Sequence, residues 1–80
     1  MGLAESEREL AERASRFVKA ELKRANVTYA ELARRLAGHG ISGETEASIK
    51  AKLARGTFAA TFLLAVLAAL ELTGMQLEDL

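Results

Sequence analysis

The chain has 80 residues with no cysteine and no proline, half of them apolar and 28% charged. That is the balance of one small globular domain with a thin core, and it excludes a disulfide framework, thiolate chemistry and cysteine-ligated zinc. Lys and Arg number 11 against 11 Asp and Glu, yet residues 1–12 hold one cation and four acids, 13–55 ten and four, and 56–80 none and three, giving −3, +6 and −3. A positive middle between acidic ends favours a surface turned to a polyanion, with solvated helix faces as the plain alternative.

The first helix is predicted over residues 6–25. Leu10, Ala14, Phe17, Val18, Leu22 and Ala25 form one stripe at helical spacing, and Arg8, Glu12, Arg16, Lys19 and Lys23 lie opposite. Glu21, at the edge of the stripe, reads as a rim carboxylate paired with a neighbouring arginine. Asn26 suits a helix-ending position. The second helix, residues 28–37, opens on "TYAE", a capping box in which Thr28 accepts from the Glu31 amide and Glu31 reaches back. Leu32, Ala33 and Leu36 face inward, with Tyr29 on the same side as a core or rim aromatic. Gly38 and Gly40 then open a loop with the only histidine, His39, which has no second ligand to share a metal.

The third helix is predicted over residues 45–55, capped by Thr45 and ended by Gly56. At about 100° per residue, Ile49 and Leu53 share the inward side, while Ala47, Ser48 and Ala51 crown the other. Lys50 and Lys52 flank that crest like rails, with Arg55 beside it. Small residues let a backbone come close to a surface while cations reach for charges on either side, which is the shape of a DNA major groove between its phosphate ridges. The fourth helix is predicted over residues 57–72, capped by Thr57. Its uncharged run from Phe58 to Leu70 has 13 residues, short of the roughly 20 that span a bilayer, so a buried helix is expected and no membrane partner. Residues 74–80 form a tail. No signal peptide is read ahead of the first helix, and the lack of cysteine suits a reducing cytoplasm, the expected location.

Together these elements predict an all-α fold, a compact bundle of four or five short helices. The segment "TYAELARRLAGHGISGETEASIKAKLARGTFAATFLLAVLAAL" resembles the helix-turn-helix core of the lambda-repressor-like family. It departs from that pattern in a longer link between Leu36 and Ile49, an inward pair spaced by four, and Ala54 where a glutamate often stands before the Arg and Gly matched by Arg55 and Gly56. More closely, "VKAELKRANVTYAELARRL", "ETEASIKAKLARGTFAATFLLAVLAAL" and "LEDL" resemble a family of small bacterial proteins designated domain of unknown function 6471, which brings no activity with it. The repressor resemblance implies a transcriptional regulator of double-stranded DNA, read by the third helix through Ser48, Lys50, Ala51, Lys52 and Arg55, with Thr45 near its entry and Arg34 and Arg35 on phosphates. Local ion pairs of those two arginines with Glu31 are the competing reading.

The fourth helix directs Phe58, Phe62, Val66 and Leu70 to one side and Leu64 and Leu67 to the other. One helix cannot easily bury both faces in so small a domain. A homodimer is therefore expected, with Leu64, Leu67, Met75, Leu77 and Leu80 at or near its interface, against a tail folded over the same face of a monomer. No enzyme, cofactor or metal is expected. The competing function is a protein-interaction or antitoxin-like adaptor module whose third helix docks on a partner and binds no DNA.

Overall fold

A computed structural model describes residues 2–80, the side chain of residue 79 excepted. Its order is α1 (Glu7–Ala25), α2 (Tyr29–Ala37), α3 (Glu46–Arg55), α4 (Ala60–Ala69) and a 3-10 turn at Leu77–Asp79. Among the described residues there are no strands, so the fold is all-α. Helix α3 packs against both α1 and α2, and α4 packs against α2. Val18, Leu22, Leu32, Leu36, Ile49, Leu53, Phe62 and Val66 bring one core together from all four helices. Each such side chain contributes roughly 1.5–3 kcal/mol when fully buried.

Local chemistry explains most helix ends. Ser6 accepts from the Glu9 amide to open α1, and Asn26 closes it in the left-handed region (φ 58°). The Val27 amide then donates back to the Leu22 carbonyl at 2.9 Å, which turns the Val27 side chain into the core. Thr28 caps α2 as expected, but Glu31 does not complete the box. It turns instead to Arg34 and Arg35. The reciprocal box forms on α3, where Thr45 accepts from the Ser48 amide at 3.0 Å and Ser48 Oγ accepts from the Thr45 amide at 2.8 Å.

Two expectations about α1 and α4 need correction. Leu10 is 42% exposed, and the small residues Ala11 and Ser15 are buried in its place. The reason lies at Gly56. That residue ends α3 at φ 74°, and a Cβ there would stand 2.3 Å from the Ala11 carbonyl oxygen, so the facing side of α1 has room only for small side chains. Helix α4 is shorter than residues 57–72. Thr57 caps nothing, because residues 56–59 are not helical and the helix starts after an extended Ala59 without a side-chain cap. At its far end Glu71 takes φ 58° and the Leu72 amide donates to the Leu67 carbonyl at 2.9 Å, which closes the helix at Ala69.

The tail folds back on the body. Met75 and Leu80 pack against the core, as do Leu67 and Leu70, and Arg13 Nη1 donates to the Leu80 backbone oxygen at 2.8 Å. Leu64 and Leu77 stay outside, 64% and 65% exposed. Among the described residues no helix is long and apolar enough to cross a membrane.

Candidate nucleic-acid interface

Helix α3 is anchored by Ile49 and Leu53, both buried, and at its end by Ser15 of α1. The Ser15 hydroxyl donates to the Leu53 carbonyl, one of the carbonyls that the last turn of a helix leaves without an internal partner. These contacts orient α3 so that Ala47, Lys50, Ala51, Ala54 and Arg55 are exposed.

The rest of the predicted reading set is used by the protein itself. Thr45 and Ser48 are tied into the capping box. The Ser48 hydroxyl also donates to Glu44 Oε1 at 2.6 Å. Lys52 Nζ stands 2.9 Å from Glu44 Oε2 and 5.7 Å from the centroid of the Phe62 ring. Partial burial pushes the Glu44 carboxyl up, but the Ser48 hydroxyl and the Lys52 ammonium together outweigh it and hold Glu44 below the usual carboxylate range. Lys52 is therefore drawn off the crest toward α4. The cations flanking the alanines are Lys50 on one side and Arg55 on the other, neither in an ion pair among the described residues.

On α2, Arg34 holds Glu31 through two nitrogens, at 2.9 and 2.5 Å. Arg35 Nε donates to the same carboxylate at 2.9 Å, and its Nη1 donates to the Ala69 carbonyl at 3.2 Å. The Arg34 hydrogen bond, then that of Arg35, lowers the Glu31 pKa from 4.5 to about 2, and Glu31 raises that of Arg34. Arg35 thus clamps α2 to the end of α4. Glu21 pairs with Arg24 across one turn of α1.

Two residues shape the site through contacts that the sequence does not predict. Glu44 precedes the α3 cap and lies eight positions before Lys52, a separation with no meaning along a regular helix, and Phe62 reaches Lys52 from another helix. Ala54 extends the bare crest, and its exposure follows from the same helical arithmetic that placed Ala47 and Ala51. His39 is exposed in the loop, and among the described residues no group of three or more His, Cys, Asp or Glu is placed to hold a metal ion.

No curated protein and no solved structure matches the chain. A family match covers residues 10–75, a span holding all of α2, α3 and α4 and most of α1, so the chain belongs to the family described as Domain of unknown function (DUF6471).

Proposed function

We propose that the chain is a small transcriptional regulator of the helix-turn-helix kind that binds double-stranded DNA by laying α3 in the major groove. The observation that supports this most is the outward side of α3: Ala47, Ala51 and Ala54 stand bare between Lys50 and Arg55. An α-helix fits the groove, about 12 Å wide, most closely where its side chains are small. Lys50 supplies a point charge for phosphate, and Arg55 carries the planar fork that reads guanine through two hydrogen bonds. Thr45 and Ser48 serve by fixing the start of the helix, and Lys52 by tying it to Glu44 and Phe62.

The regulator acts as a pair of identical subunits. Exposed Ala60, Leu64 and Ala68 recur every four residues along α4, an apolar strip that a second copy would cover. Two α3 helices on one face of a duplex would then read half-sites about 34–36 Å apart. With Leu67, Met75 and Leu80 packed inward, the pairing surface contracts to Leu64 on α4, and of the tail only Leu77 stays exposed. Leu64→Glu should convert a dimer to a monomer in sedimentation velocity at tens of micromolar. A parent that is monomeric there removes the pairing.

Fluorescence anisotropy with labelled duplexes over a salt series tests the reading of α3. Ala51→Leu adds bulk to an exposed position, so it should abolish binding while stability changes by about 0.5 kcal/mol or less. Arg55→Ala should relax base preference by roughly 1–3 kcal/mol at one position of the site. If Ala51→Leu binds DNA as the parent does, α3 is not the reading element, and a protein partner takes its place.

A further inference from the structure

Eleven cations are present, and five of them, Arg13, Arg24, Arg34, Arg35 and Lys52, are held in ion pairs. Among the described residues the other six make none. Five of those six, Arg8, Arg16, Lys19, Lys23 and Arg55, line a single open groove of about 1020 Å³ between α1 and the C-terminal end of α3. Glu7 and Glu12 are the carboxylates on its walls, so five cations against two acids leave a net +3. Ala11, Ser15, Ala20 and Ala54 line it as well, none with a side chain long enough to hold a ligand off.

We propose that this groove seats the phosphate backbone of the DNA strand bordering the major groove, so that α1, rather than α2, carries the phosphate contacts. The inference rests on α3 being the reading helix, and Arg55 joins the two surfaces because it belongs to both. From Arg16 to Lys23 the helix axis advances about 10 Å, close to the axial rise of about three nucleotides of one strand. Lys19 falls between them on the same side of the helix. No aromatic ring lines the groove, so it lacks the stacking platforms with which proteins hold unpaired bases. A row of cations without such platforms suits the outside of a duplex. The C-terminal end of a helix ordinarily repels an anion through its free carbonyls. Here Ser15 occupies that of Leu53 and the Gly56 amide that of Lys52.

The test compares two variants of equal charge change, Lys19→Gln/Lys23→Gln in the groove and Arg24→Gln/Arg34→Gln in the ion pairs, using the full chain and labelled duplex DNA across 50–200 mM salt. Circular dichroism checks that both are folded. Each phosphate neutralised adds about 0.9 to the slope of log K against log salt, so the groove variant should lose about 2 units of slope, and the ion-pair variant less than 1. Equal slopes for the two variants, in a protein that loses binding on Ala51→Leu, overturn the groove and leave the α3 reading standing. Loss of slope in the groove variant alone, with Ala51→Leu still binding, keeps the cationic groove as a phosphate seat but overturns its placement beside a major groove read by α3. A parent that binds no duplex at 50 mM salt overturns both.

Discussion

Replacing Gly56 with alanine tests the corner that holds α3 against α1. Two costs combine there. The backbone sits at φ 74°, where an L-residue is strained by about 1–2 kcal/mol. The new Cβ would also stand 2.3, 2.7 and 2.8 Å from the carbonyl oxygen, carbonyl carbon and Cβ of Ala11, and two of those atoms are backbone that cannot rotate away. Relieving such overpacking costs about 1–3 kcal/mol more, so the total is roughly 2–5 kcal/mol. For 80 residues the whole stability is on the order of 4–12 kcal/mol, and the variant would stand near its unfolding threshold. Gly40→Ala is the matched control: its φ is +92° with nothing within 4 Å of the added Cβ, so it carries the strain alone. Both substitutions also stiffen the unfolded chain by the same amount, and that contribution cancels in the comparison. Urea denaturation of the two variants beside the parent measures the difference. Equal losses for Gly56→Ala and Gly40→Ala would refute the claim that close packing of α1 fixes this corner.

Ser15→Ala should cost about 1–3 kcal/mol in the same urea experiment, since it leaves the Leu53 carbonyl without a partner in a buried place; a loss under about 0.5 kcal/mol would mean that water replaces the hydroxyl. Lys52→Ala should lower stability by about 0.5–1 kcal/mol through its Glu44 and Phe62 contacts, whereas Lys50→Ala should change it by less than about 0.5 kcal/mol. The Glu31 carboxyl should titrate near pH 2 by NMR and move back toward 4.5 in Arg34→Gln/Arg35→Gln. Because its folded pKa is depressed, the stability it contributes is complete above pH 4.5 and drains away as the pH falls toward 2. Its exposure makes that contribution small and sensitive to salt.

The helices and most of their ends were legible in the sequence because capping and period act over three or four residues. Thr28, Thr45, Asn26 and Gly56 all sit where their chemistry predicts a start or a stop. What stayed hidden depends on neighbours far along the chain. Leu10 looked like the first residue of the α1 stripe by hydrophobicity alone, and only the nearness of Gly56 shows why Ala11 and Ser15 turn inward instead. The helical period of α3 alone places Lys52 as a rail, whereas Glu44 and Phe62 reach it from a loop and from α4. The α1 cations read as one more solvated face for the same reason: their partner surface, the end of α3, comes from thirty and more residues away.

Arg55 lies between two positions that α1 holds in place, Leu53 through the Ser15 hydroxyl and Gly56 through Ala11. Its Cα therefore has little freedom left to lose when the side chain closes on anything. The ordering cost is confined to the guanidinium stem, about 0.5–1.5 kcal/mol, and none of it falls on the main chain. The same arrangement separates support from contact: the residues that fix the position are Ser15, Leu53, Gly56 and Ala11, and the side chain at 55 takes no part. Residue 55 is thus a place where the chain can change what it touches without changing how it folds.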